Sequence, residues 1–425
     1  MIDQNGVNGL TKLETDLLIP SETIHPDNSK RQKILILTWE FPPNVIGGLA
    51  RHCHGLARSL VKANYEVHVL TTKLSTTPNF EIVDGIKVFR ITPLHEQEAN
   101  FLTWIAGLNL AMIDKVKELA REHQYGLIHA HDWLVGTAGI LLKSELSIPL
   151  ITTIHSLEQG RNDGIYTETQ KFIDDKERQL IHGSDQIIVC SEFMKDALLQ
   201  QFSAKEDRLS VIANGIDPDS AEINELTILS KNIPLNSNKR LIFSIGRLVK
   251  EKGFDVLIEA APELLKQYPD LYFIIAGKGP MENEYQRLIR DRGLENIVFL
   301  IGYVDDSNRN LLFNQCEIAI FPSLYEPFGI VTLEAMIFGK PTIVSNTGGL
   351  KGIIDHGNTG LLMNPGDKRS LVKQVQEILD NPPKAKQLGE NGKKIVQQLF
   401  SWKRIGLETK RVYEETIMKS KYFQS

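Results

Sequence analysis

KILILTWEFPPNVIGGLARHCHGLARSL, residues 33–60, is the stretch on which the fold turns. Ile34 to Leu37 form a continuous apolar run, the mark of a parallel strand covered on both faces. From Leu49 the pattern changes: Leu49, Cys53, Leu56 and Leu60 follow at intervals of four, three and four, which gives a helix one apolar face. Between strand and helix lies a loop longer than such a connection needs, with Pro42, Pro43, Gly47 and Gly48 in it. A glycine pair just before a helix exposes backbone N–H groups to an anion. It is not the GxGxxG dinucleotide fingerprint.

Working outward, the same alternation continues. EVHVLTT (66–72), IKVFRI (86–91), LIHAHD (127–132), PLITTIH (149–155) and QIIVCS (186–191) read as strands, with helical stretches between most of them. Asn214 to Lys239 breaks the rhythm with turn and linker chemistry. A second series then runs through LIFSIGR (241–247), LYFIIAG (271–277), IVFLIG (297–302), IAIFPS (318–323), PTIVSN (341–346) and GLLMNP (360–365). Strands alternating with helices predict α/β domains with parallel doubly wound sheets. The expected organisation is a polar tail at 1–32, a domain at 33–213, a hinge at 214–240, a second domain at 241–400, and a C-terminal helix within 401–425 able to pack on either domain.

The bulk numbers agree. A chain of 425 residues is too long for one hydrophobic core, and 42% hydrophobic with 24% charged residues is ordinary for a soluble globular protein. A net charge of -5 gives no reason to expect a nucleic-acid partner. Cys53, Cys190 and Cys316 are scattered and odd in number, which fits a reducing compartment and no structural zinc. The start does not read as a signal peptide, and no apolar run approaches the roughly 20 residues that span a bilayer. The expectation is a cytoplasmic protein. AMIDKVKELAREHQ (111–124) balances both signs of charge, so it reads as a solvated face and stable membrane docking is not expected.

Ligands of open α/β sheets bind beyond the carboxyl ends of strands. In GRLVKEKG (246–253), Arg247 and Lys252 lie on a strand-to-helix turn between two glycines, a setting suited to a pyrophosphate. In YEPFGIVTLEA (325–335), Glu326 and Glu334 stand eight residues apart. Phe328, Gly329 and Ile330 start a helix there, with Glu334 two turns further along. HAHDW (129–133) and TTIHS (152–156) place His131, Asp132 and His155 at strand ends of the first domain. Asp217-Pro218-Asp219 is literally a DxD, yet it follows an Asn-Gly turn and is read as turn chemistry. Asp305-Asp306 reads as a helix cap.

Taken together, SLYEPFGIVTLEAM with its E-x7-E spacing, GRLVKEKG, GKPTIVSNTGG and the early glycine-pair loop resemble glycosyltransferase family 4. The resemblance covers nearly the whole chain from about residue 33. It implies the GT-B fold, two Rossmann-like domains facing a cleft, and a retaining hexosyl transfer that needs no metal and no cofactor beyond the nucleotide-sugar substrate. WEFPPNVIGGLARHCHGLARSL, HAHDW and IHSLEQGR look closest to glycogen-synthase-like α-glucosyltransferases. Where classical bacterial glycogen synthases carry a lysine two residues before the glycine pair, this chain has Val45, which leaves UDP-glucose and ADP-glucose both open.

By the same resemblance, Arg247 and Lys252 bind the donor diphosphate with Gly47 and Gly48 close to it, and Glu334 holds the ribose. Glu326 contacts hydroxyls of the transferred sugar, near backbone donors at Phe328, Gly329 and Ile330. His155 helps stabilise the transition state at the sugar, with Asp132 and His131 on the sugar or acceptor side. The acceptor is a glycan such as an α-1,4-glucan. The alternatives are another hexose moved to a lipid-linked, small-molecule or polysaccharide acceptor, and a nucleotide-sugar epimerase on the same fold.

Overall fold

The computed structural model describes residues 31–94, 100–217 and 238–422. Most of the expected tail and hinge, and two members of the Asp217-Pro218-Asp219 triplet, lie outside the described residues. The chain divides into two compact units. One ends at Gly215 and regains the chain from Trp402; the other is Ile216–Ser401.

The first unit holds strands β1 (Lys33–Leu37), β2 (Glu66–Thr72), β3 (Phe80–Val83), β4 (Ile86–Ile91), β5 (Tyr125–His131), β6 (Leu150–Ile154), β7 (Gln186–Val189) and β8 (Leu209–Val211). Its helices include α1 (Gly48–Lys62), α2 (Phe101–Ala120), α3 (Gly136–Leu146), α4 (Glu158–Asn162), α5 (Glu168–Gly183) and α6 (Glu192–Phe202). The sheet order is β3-β4-β2-β1-β5-β6-β7-β8, parallel except for β3. β3 and β8 are additions to the sequence expectation. β3 turns into β4 through Asp84 and Gly85, whose positive φ values of 52° and 80° match the tight turn that such hairpins require.

The second unit holds β9 (Arg240–Ile245), β10 (Leu271–Ala276), β11 (Val298–Leu300), β12 (Ile318–Phe321), β13 (Thr342–Ser345) and β14 (Leu361–Met363). They form a parallel sheet ordered β11-β10-β9-β12-β13-β14, the doubly wound Rossmann order. Its helices include α7 (Phe254–Gln267), α8 (Glu282–Asp291), α9 (Asp306–Gln315), α10 (Ile330–Met336), α11 (Lys368–Leu379) and α12 (Pro382–Leu399). The Asp305 carboxylate accepts the Asn308 N–H at 2.8 Å and caps α9, as the sequence suggested.

The last helix, α13 (Trp402–Tyr422), belongs to the first unit. Ile405, Tyr413 and Ile417 join Ile34, Ile36, Leu56 and Leu60 in one core. The Trp402 indole lies against Gly55 and Gly215, and a Cβ on either glycine would overlap the ring. The Tyr413 hydroxyl reaches His129 Nδ1 at 2.7 Å, so the one polar atom of this buried ring is satisfied. Among the described residues, no helix is long and apolar enough to cross a membrane.

In each sheet the strand order reverses once, between β1 and β5 in the first unit and between β9 and β12 in the second. Helices diverge to opposite faces there, which leaves a crevice beyond the strand ends. The loops after these four strands carry most of the sequence-predicted site residues.

Candidate functional site

In the first unit, the loop after β1 is pinned from outside. Thr72 Oγ1 donates to the Trp39 carbonyl at 2.7 Å, and Arg90 donates to the Pro42 carbonyl at 2.6 Å while pairing with Glu81. The helix α1 then starts with Gly47 as its cap and no capping side chain of its own. Glu40 fills the role. Its carboxylate accepts the Ile46 N–H at 2.7 Å and also the N–H groups of Gly47 and Ala50. Burial raises the Glu40 pKa, and those three donors work against the rise. The anion expected at Gly47 and Gly48 is therefore supplied in this structure by the chain itself. Glu40 was not singled out from sequence.

The ends of β5 and β6 and one face of α1 bring imidazoles together. His131 Nδ1 lies 3.0 Å from His155 Nε2, and His52 is in edge contact with His155 at 4.6 Å between ring centres. His129 stands behind them, held by Tyr413 and by Thr153 Oγ1, each at 2.7 Å. Burial drives the pKa of His52, His129 and His131 well below the usual value and that of His155 down to about 3, so all four are neutral.

Asp132 has φ 61° and ψ 171°, a region that non-glycine residues enter at a cost of about 1–3 kcal/mol. The turn aims its carboxylate at the next strand end, where it accepts the His155 N–H at 2.8 Å and also that of Ser156. Asp132 thus fixes the backbone of the residue expected at the sugar. Burial lifts its pKa to about 6. Below it, Glu177 accepts the Glu158 N–H at 3.0 Å and is pushed by burial up to about 8.

In the second unit, Lys252 Nζ meets Glu326 Oε2 at 2.6 Å, and the Ser323 hydroxyl donates to the same oxygen at 3.2 Å. The turn carrying Lys252 ends at Gly253, where φ is 63° and a Cβ would strike the Pro322 carbonyl. Gly348 has φ 53° and Gly349 donates its N–H to the Glu326 carbonyl at 2.9 Å, so the GG of SNTGG braces the Glu326 loop. Arg247 is about half exposed, 3.5 Å from Glu251. Gly329 caps α10 with φ 105°, and the N–H groups of Gly329 and Ile330 donate to no acceptor among the described residues.

The structure thus joins Lys252 with Glu326 and His131 with His155. His131, Phe328 and Glu334 are all buried. His131 is fully buried and meets His155 through its Nδ1. The Phe328 ring packs 6.1 Å from that of Phe400. Glu334 stands one turn into α10, since the helix starts only at Ile330, and its carboxylate is buried and paired at 3.0 Å with Arg309. Arg309 is a residue that sequence reading missed, because nothing in α9 marks it as the partner of a glutamate 25 positions on.

Comparison with known proteins follows the same division. Residues 46–220 match the family described as Glycosyltransferase Family 4, and residues 227–395 that described as Glycosyl transferases group 1. An uncharacterised glycosyltransferase of Methanocaldococcus jannaschii is 35% identical over 386 residues, 90% of this chain and 98% of the relative. The glycogen synthase of Mycobacterium tuberculosis is 31% identical over 397 residues, 90% of this chain and 94% of that enzyme. Among solved structures, a sucrose-phosphate synthase from Thermosynechococcus elongatus superposes with a TM-score of 0.80 over 92% of this chain and 100% of the other, at 24% identity.

Proposed function

Because the chain belongs to glycosyltransferase family 4, with the GT-B fold, we propose that it moves a glucosyl unit from a nucleotide-glucose donor to a glycan acceptor, with retention of anomeric configuration. The observation that carries this reading is the Lys252–Glu326 pair at 2.6 Å on two loops of the second unit's switch point, with Arg247 half exposed on the first of them. Two cations and a carboxylate there match the needs of a sugar diphosphate. The cations take the charge on phosphate and the carboxylate takes hydroxyl hydrogens. The 31% identity to a glycogen synthase over most of both chains favours glucose and an α-glucan acceptor.

Breaking the bond between sugar and diphosphate leaves positive charge on the sugar and negative charge on the leaving group. Arg247 and Lys252 stabilise the second, together with the Gly329 and Ile330 N–H groups. Glu334, fixed by Arg309, holds the ribose. In the first unit, His155, neutral and with its backbone held by Asp132, is the proposed partner for a sugar oxygen. The departing phosphate accepts the proton of the incoming hydroxyl, so the new glycosidic bond forms without a protein base. Glu326 is then a hydroxyl-binding group and not a covalent nucleophile. No metal is required in this scheme.

The test is a donor panel. UDP-glucose, ADP-glucose and two non-glucose nucleotide sugars are each incubated with the protein, with and without a maltooligosaccharide. Acceptor-dependent release of UDP or ADP from a glucose donor supports the proposal. Conversion of the donor sugar without any acceptor would instead indicate an epimerase.

A further inference from the structure

Between His131 and His155 a single hydrogen decides what His155 presents to a ligand. His131 Nδ1 and His155 Nε2 are 3.0 Å apart, and one of them must donate. His131 is wholly buried, and its other nitrogen, Nε2, meets no hydrogen-bond partner among the described residues. His155 is half-buried, and its other nitrogen, Nδ1, likewise has no protein partner among the described residues.

Two arrangements are open to a pair of neutral rings. If His155 donates through Nε2–H, His131 carries its own hydrogen on Nε2, a buried N–H with nothing to receive it. Orphaned buried N–H groups are rare because they lose their whole hydration. If His131 donates through Nδ1–H, only a lone pair is left on its Nε2. No neighbouring ring accepts that hydrogen in this structure. His129, tilted over His131 at 4.2 Å, has both nitrogens taken by Tyr413 and Thr153, and His52, 5.4 Å from His131 between ring centres, makes no hydrogen bond through either nitrogen among the described residues.

The geometry points to His131 as a positioning residue that donates Nδ1–H to His155 Nε2 and holds His155 as its Nδ1–H tautomer, so that His155 offers a hydrogen-bond donor outward. A donor selects an oxygen acceptor, a sugar hydroxyl or ring oxygen, and cannot serve as a base at that atom. The role of this donor at the sugar rests on the function proposed above; the tautomer does not.

Long-range proton–nitrogen NMR on the full chain labelled with 15N-histidine reads tautomers directly. The His155 signals are assigned by their loss in His155→Gln. The expected result is a protonated Nδ1 and a bare Nε2 on His155 near neutral pH. His131→Leu is expected to give a mixture of tautomers and to lower kcat/KM for transfer about tenfold, the worth of one buried hydrogen bond, with nucleotide binding unchanged. His131→Asn places an amide N–H where Nδ1 was and is expected to restore both the tautomer and the activity. It also serves as the folded control if His131→Leu is unstable.

A wild-type His155 protonated at Nε2, or a tautomer unchanged in His131→Leu, would overturn the assignment. So would a spectrum altered by EDTA, which would put a metal among His52, His131 and His155, whose ligand atoms lie within 4.8 Å of one another. If the tautomer is as stated but no sugar donor is used, the function proposal fails and the His131 assignment stands.

Discussion

Replacing Lys252 by alanine separates its work in holding the fold from its work on the donor. The ammonium lies 2.6 Å from Glu326 Oε2, with the two side chains 22% and 9% exposed. At an effective dielectric constant of about 20, that separation corresponds to an attraction of roughly 6 kcal/mol, most of it offset by desolvating both charges. What remains to lose is the pairing of a buried carboxylate that keeps the Ser323 hydroxyl, about 1–3 kcal/mol. At about 2–4 °C per kcal/mol for a unit of this size, the melting temperature falls by about 2–12 °C. If Lys252 also takes up charge on the departing diphosphate, kcat falls by about 10²–10³, the usual worth of one group aimed at developing charge. Calorimetry and a coupled assay for released nucleoside diphosphate measure the two effects separately. Lys252→Arg keeps the cation and is expected to recover most of the stability and part of the turnover. A variant that melts lower yet turns over within about threefold of wild type, less than 1 kcal/mol of barrier, would refute the donor role.

Three further outcomes follow from the first unit. His52, His68, His129 and His131 are buried, and with the half-buried His155 they hold their pKa values below those of unfolded histidine. Their contribution is therefore complete above pH about 6.5 and is lost as pH falls, at about 1.4 kcal/mol per pH unit for each. Glu177, lifted to about 8, and Asp132, lifted to about 6, act in the opposite sense and offset part of the loss. Urea unfolding should show a drop of several kcal/mol between pH 7 and pH 5; a flat profile would contradict the buried imidazole cluster. Trp402→Ala empties the space between Gly55 and Gly215 and is expected to cost about 3–5 kcal/mol in the same assay. Glu40→Leu strips the acceptor from the Ile46, Gly47 and Ala50 N–H groups, an expected loss of about 1–3 kcal/mol read by thermal melting.

The parallel strands were legible because they are continuous apolar runs between turn signals, and a sheet buried on both faces demands such runs. β3 was missed although Asp84-Gly85 announced its turn; its exposed Phe80 and Ile82 alternate with half-buried residues on an edge, so no apolar run marks it. β8, three residues long, is too short for any period. The place of α13 could not be read, since an apolar stripe of Ile405, Tyr413 and Ile417 names no partner.

At the site, Gly47 and Gly48 were visible as a helix entry, but the folding back of Glu40 onto that entry is a tertiary event. The missing Ser, Thr, Asp or Asn at the cap was the available hint. His129 and His131 are two residues apart on a strand and so share one face, but that spacing alone does not show that the face is covered. The backbone of Asp132, held at positive φ, left no trace in the sequence.

The central claim is the transfer of glucose, with retention, from a nucleotide donor to a glucan. The direct measurement is proton NMR of the product formed from UDP-glucose or ADP-glucose and a maltooligosaccharide primer. The account predicts primers lengthened by glucose units whose new anomeric signals are those of α-linked residues, as in the donor. Products carrying β-linked glucose, or a donor consumed with the primer unchanged, would contradict it.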